Sequence, residues 1–107
     1  ASYWGDPLRG ALAWLSQPGH AAEQAEVYLH PPGALAMAEM YRGLGLLRPG
    51  LTLVSGPEAA RRARYFVYQN RRSEWDDLGW MLSRTAPRQV IEAAGAPVAF
   101  IWERQGD

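Results

Sequence analysis

Glu26-Val27-Tyr28-Leu29-His30, Ala34-Leu35-Ala36-Met37-Ala38-Glu39-Met40-Tyr41 and Leu51-Thr52-Leu53-Val54 decide the fold class of this chain. The outer two read as short strands. The middle run is built almost entirely from strong helix formers. Pro31-Pro32 closes the first strand, Gly43 and Gly45 end the helix, and Ser55-Gly56-Pro57 breaks the second strand. A helix between two strands points to a parallel pair joined by a crossover.

Upstream, Asp6-Pro7 followed by Leu8, Leu12 and Leu15 reads as a helix start. Asp6 is a capping residue, Pro7 suits the first turn, and the leucines fall on one face with Ala11 and Trp14. Pro18-Gly19 stops it. Downstream, residues 58–62 have room for one helical turn. Arg64-Tyr65-Phe66-Val67-Tyr68 is aromatic and β-branched, and reads as a third strand.

Ser73, with Asp76 three residues on, resembles a capping box that opens a helix carrying Trp75, Leu78 and Leu82 on one face. Thr85-Ala86-Pro87 ends that helix. Residues 89–93 and 98–103 read as two strands about a Gly95-Ala96-Pro97 turn, with Val98, Phe100 and Trp102 alternating with Ala99, Ile101 and Glu103. The expected fold class is α/β: a single-domain sandwich of two or three layers, with a mostly parallel sheet and a C-terminal antiparallel hairpin.

The length of 107 residues suits one domain, and 48% apolar residues, with five Trp and five Tyr, are enough for a core. The formal net charge is zero, which argues against a nucleic-acid partner. All eleven basic residues are Arg. With no cysteine, disulfide frameworks, thiol nucleophiles and thiolate zinc sites are excluded. No segment reaches the roughly 18 apolar residues of a membrane span.

Arg61, Arg62, Arg64, Arg71 and Arg72 flank the third strand and form the candidate anion site, for phosphate groups or lipid headgroups. The plain reading pairs them with Glu58, Glu74 and Asp76. Trp80 falls between the leucine positions of its helix; an exposed Trp can anchor at a membrane surface or stack on a sugar ring. His20 and His30 are held apart by a helix stop and a strand end, so no metal site is expected. Ser55 lacks the flanking pattern of a nucleophile elbow, and Pro31-Pro32 removes the amides a phosphate loop would use. Asp76 and Asp77, adjacent on a helix, point apart and complement the helix dipole rather than forming a catalytic pair. No catalytic residue, metal or cofactor is assigned.

The segment Tyr3-Trp4-Gly5-Asp6-Pro7-Leu8-Arg9-Gly10-Ala11-Leu12-Ala13-Trp14-Leu15 resembles the start of a particular extracytoplasmic domain. This is the C-terminal domain of bacterial GT-C type membrane glycosyltransferases, the dolichyl-phosphate-mannose-protein mannosyltransferase-like group. The likeness continues in Ala63-Arg64-Tyr65-Phe66-Val67 and in Gly95-Ala96-Pro97-Val98-Ala99-Phe100-Ile101-Trp102-Glu103-Arg104. Arg64 stands where the pattern has an acidic residue, and Trp102 where it has a closing Tyr.

The resemblance implies a parent enzyme that transfers a sugar from a polyprenyl-phosphate carrier. An acidic residue in an early outer loop, not within this chain, would do the chemistry. Residues 1–107 are then a noncatalytic domain excised from a longer membrane protein, on the extracytoplasmic face of the bacterial inner membrane. Its implied partners are the membrane portion of the same polypeptide, lipid headgroups or the acceptor substrate, with Arg61, Arg62, Arg64, Arg71, Arg72 and Trp80 as the contact candidates. The alternative is a free-standing α/β module for a small phosphorylated ligand held by the same arginines.

Overall fold

The structure, a computed structural model, describes residues 5–30 and 33–104, and for residues 5–7 the backbone alone. The first helix already includes Gly5, so Asp6 lies within it rather than before it; the side chains of Asp6 and Pro7, the strand closure by Pro31-Pro32, and Trp4 lie outside the described residues. The chain runs α1 (Gly5–Ser16), β1 (Ala25–His30), α2 (Ala34–Gly43), β2 (Leu51–Val54), α3 (Pro57–Ala60) and β3 (Tyr65–Gln69). A 3-10 turn (Arg72–Glu74), α4 (Asp77–Leu82), β4 (Gln89–Ala93) and β5 (Ala96–Glu103) complete it.

The strands form one mixed sheet in the order β2-β1-β3-β5-β4. β1 pairs in parallel with both β2 and β3, whereas β5 runs antiparallel to β3 and to β4. The α/β class with a C-terminal hairpin is therefore the architecture observed. From β1 the chain steps outward to β2 and then returns past β1 to β3. Two right-handed crossovers in opposite directions place successive helices on opposite faces. α2 lies with α1 over Val27, Leu29, Leu51, Val67 and Ile101. The other face carries Tyr28, Phe66, Tyr68, Phe100 and Trp102, packed with Trp75, Leu78 and Leu82 and with Ala60 of α3.

This three-layer arrangement explains the last strand. Its alternation would suit a sheet with one wet face, yet Ala99 and Ile101 are as deeply buried as Phe100 and Trp102. Helices cover both sides. Leu8, Ala11, Leu12 and Leu15 of α1 are all buried, as their spacing requires.

Two local expectations are corrected. The fourth helix does not open at Ser73, which is exposed in the 3-10 turn; its N-cap is Asp76, whose Oδ1 accepts the Gly79 N–H at 2.9 Å. Trp75 is extended (φ −71°, ψ 142°) because its Nε1 donates to the Gln69 carbonyl at 2.8 Å, drawing the ring into the core beside β3. A helix begun at Ser73 would carry that ring away. The hairpin turn is Ala94-Gly95, with φ of 53° and 82°, rather than Gly95-Ala96-Pro97. Two central residues at positive φ make the turn whose twist matches an antiparallel pair.

Candidate functional site

The parallel strands β1 and β3 end side by side, with His30 opposite Tyr68 and Tyr28 opposite Phe66. Residues two apart on a strand share a face, so Tyr28 and His30 point to the same side as Tyr68. From that edge β1 leads to α2 on one face of the sheet, and β3 leads to α4 on the other. Strand ends where the connections diverge form a crevice, the usual ligand position in open α/β sheets.

Asp76 drops into this crevice from the start of α4. Its Oδ1 accepts from the Tyr68 hydroxyl at 2.8 Å and from the Gly79 N–H at 2.9 Å. Its Oδ2 accepts from the Tyr28 hydroxyl at 3.1 Å. The His30 ring stacks on Tyr68 with centroids 4.9 Å apart, and its Nε2 donates to the Glu74 carbonyl at 2.7 Å. A carbonyl only accepts, so Nε2 carries the hydrogen and Nδ1 faces Asp76 Oδ2, 3.5 Å away. Trp75 and Trp102 meet Tyr68 edge-on and shut water out from below.

These contacts set the protonation states. Burial would raise the Asp76 carboxyl; the Gly79 amide, the Tyr68 hydroxyl, His30 and the Tyr28 hydroxyl outweigh it and hold the pKa below the ordinary value. Burial first, then Asp76 through its hydrogen bond and its charge, raises both Tyr28 and Tyr68. At neutral pH the cluster is one carboxylate gripped by protonated phenols. A carboxylate with so low a proton affinity is a weak base, and phenols so held are weak nucleophiles. The arrangement ties β1, β3 and α4 together.

Above it opens a cleft of about 530 Å³, lined by Tyr28 and His30 of β1, by Gly56, Pro57 and Ala60 at α3, and by Asp76, Asp77 and Leu78 at the start of α4. Asp77 is exposed there. A second open groove of about 510 Å³ continues past Ala60 and Leu78, between Arg61, Met81, Leu82 and Arg104. Among the described residues no three His, Cys, Asp or Glu side chains converge on a metal position, and no helix is long and apolar enough to cross a membrane.

No protein family, curated protein or solved structure matches the chain.

The arginines singled out from the sequence are not gathered into one site. β3 lies between them; its five residues, at about 3.3 Å each, hold Arg61, Arg62 and Arg64 roughly 17 Å from Arg71 and Arg72. Arg62 pairs with Glu26 at 3.3 Å, Arg64 with Glu103 at 2.9 Å, and Arg71 with Glu74 at 3.7 Å. Arg72 lies over the Trp75 ring at 5.2 Å, and Arg61 lines the second groove. Trp80 is 46% exposed and leans on Trp75, with ring centroids 5.2 Å apart. His20 stacks instead on Trp14, with ring centroids 4.2 Å apart.

Tyr28, His30, Tyr68 and Asp76 were not legible as a set. One signal was available: Tyr28-x-His30 at the carboxyl end of a parallel strand, beside Phe66-x-Tyr68, puts three polar rings on one edge.

Proposed function

We propose that this chain is a noncatalytic extracytoplasmic domain of a polytopic membrane glycosyltransferase that uses a polyprenyl-phosphate sugar donor. The cleft at the strand ends helps to shape the acceptor site. The observation that carries this reading is the closed state of the Asp76 cluster. The side chains best suited to chemistry are spent on joining β1, β3 and α4. What remains beside them is an open cleft lined by His30, Asp77 and the largely apolar Gly56, Pro57, Ala60 and Leu78. Such a site binds or positions. The sequence likeness in residues 3–15, 63–67 and 95–104 supplies the kind of enzyme.

A free-standing module for a phosphorylated ligand has less support, because Arg62, Arg64 and Arg71 are each engaged by a carboxylate. The cleft itself is lined by Asp76 and Asp77, which repel phosphate.

The test has two parts. The reading frame upstream of Ala1 is expected to encode several apolar spans, with an acidic residue in the first outer loop. Membranes carrying the full enzyme are then expected to transfer sugar from a polyprenyl-phosphate donor. Deleting residues 1–107 should depress acceptor use, while the isolated chain turns over no donor. A start codon directly before Ala1, or donor turnover by the isolated chain, overturns the proposal.

A further inference from the structure

Among the described residues, two surfaces expose large apolar side chains: Met40 and Leu44 at the end of α2, at 56% and 66%, and Trp80 and Met81 on α4, at 46% and 56%. They differ in their surroundings. At the α2 end the neighbouring Arg42 is paired with Glu39 at 3.1 Å. Around α4 the cations are uncommitted. Arg61 shares the groove wall with Met81, and Arg84 lies in the turn just past the end of α4. Neither Arg61 nor Arg84 makes an ion pair among the described residues. Arg72 joins them through Trp75, which it covers and on which Trp80 leans. Of the acids nearby, Glu103 is held by Arg64 and Arg88, Glu74 by Arg71, and Asp76 by Tyr28, Tyr68 and the Gly79 amide, which leaves Glu58 and Asp77 to oppose three arginines.

A half-bare Trp–Met pair flanked by arginines that have no carboxylate partner among the described residues is matched to one kind of surface. The indole is at home at the boundary between headgroups and acyl chains, and an anionic leaflet attracts each basic residue held close to it. A protein partner would need a matching acidic rim about an apolar pocket. A lipid leaflet presents phosphate and apolar depth together. From this geometry we propose that the α4 surface, with Trp80 and Met81 inserted and Arg61, Arg72 and Arg84 on the phosphates, seats the domain on an anionic lipid membrane. This rests on the reading above only in that a membrane lies within reach of the domain.

The test holds the full chain at a bilayer, so that weak affinity does not hide the contact. A hexahistidine tag at the N-terminus binds it to vesicles containing a nickel-chelating lipid in brominated phosphatidylglycerol or in brominated phosphatidylcholine. Expected is tryptophan quenching on the phosphatidylglycerol vesicles alone, abolished in W80F and by molar salt. Untagged chain should float with phosphatidylglycerol vesicles and lose roughly fivefold in partitioning for each of R61Q and R84Q. M40S, on the α2 surface, should change nothing. Absence of quenching while the tag holds the chain overturns the proposal. So does quenching that survives W80F, equal quenching on both lipids, or a concentration-dependent dimer that shields Trp80. An upstream frame without apolar spans would remove the transferase reading and leave vesicle binding standing; failed quenching would do the reverse.

Discussion

The Tyr68 hydroxyl donates to Asp76 Oδ1 at 2.8 Å, fastening the middle of the sheet to the first residue of the α4 cap. The same oxygen accepts the Gly79 amide, so one atom both starts the helix and docks it. Tyr28 reaches the other oxygen at 3.1 Å. Tyr68 is fully buried and Tyr28 nearly so, yet their burdens differ: Tyr28 borders the cleft, and Tyr68 lies beneath Trp75 and Trp102.

Removing the Tyr68 hydroxyl is therefore expected to cost more than removing that of Tyr28. A hydrogen bond to a charged acceptor contributes about 1.5–3 kcal/mol. Tyr68→Phe should fall in that range, with Tyr28→Phe at or below its lower end because water can enter from the cleft. Urea denaturation of the two variants decides the order. Equal losses would mean that the cluster is wetted throughout.

Acid should loosen the fold through Asp76. Its folded-state pKa is depressed, so its stabilising contribution is fully present above the ordinary carboxylate value near pH 3.9 and is lost as pH falls through the folded value. Denaturation midpoints measured from about pH 6 down to about pH 2 are expected to drop below pH 4. In Asp76→Asn the drop should be shallower, since the amide binds no proton. An identical acid slope in the variant would place the titrating group elsewhere.

Much of the layer architecture was readable from the chain, and the reasons are local. Leu8, Leu12 and Leu15 share one side of a helix, and the segment from Glu26 to Val54 alternates strand, helix and strand between clear breakers. Apolar period and Gly or Pro punctuation act within a few residues. The cap of α4 was misread because Ser73 and Asp76 are both good N-cap residues. What chooses between them is the bond from Trp75 to the Gln69 carbonyl, a contact set by the sheet.

The site was harder still. Asp76 meets Tyr28 across 48 positions of sequence, and no spacing rule spans that gap. Charge drew notice to the arginines instead. Yet Arg64 and Glu103, 39 positions apart, are brought together by adjacent strands. Which charges are neutralised is a property of strand order, and strand order is not written locally.

Gly79 gives a test of how closely α4 must approach the sheet. A Cβ there would lie 2.7 Å from Tyr68 Cε2 and 3.2 Å from Trp75 Cβ. Helix propensity alone favours Ala over Gly by about 1 kcal/mol. Overpacking costs roughly 1–3 kcal/mol, and here the displaced ring carries the bond to Asp76. Gly79→Ala is expected to be destabilised on balance, with the near-ultraviolet circular dichroism of Tyr68 and Trp75 altered. A more stable variant with an unchanged spectrum would show that α4 can step back without loosening the cluster.

Ala94 offers the opposite sign. It holds φ of 53° at the first position of the β4–β5 turn, a conformation natural to Gly and tolerated by Asn, while Gly95 supplies the second position. A side chain bearing Cβ costs about 1–2 kcal/mol in that region. Ala94→Asn creates the Asn-Gly pair that the turn favours, and Ala94→Gly removes the Cβ at the expense of a looser unfolded chain. Both variants are expected to raise the denaturation midpoint, the Asn variant by more, with a gain of roughly 0.5–1 kcal/mol. Because the turn lies at the far end of β4, neither should alter vesicle binding or the acid response of Asp76. A loss of stability in both would mean that the hairpin turns through different residues in solution.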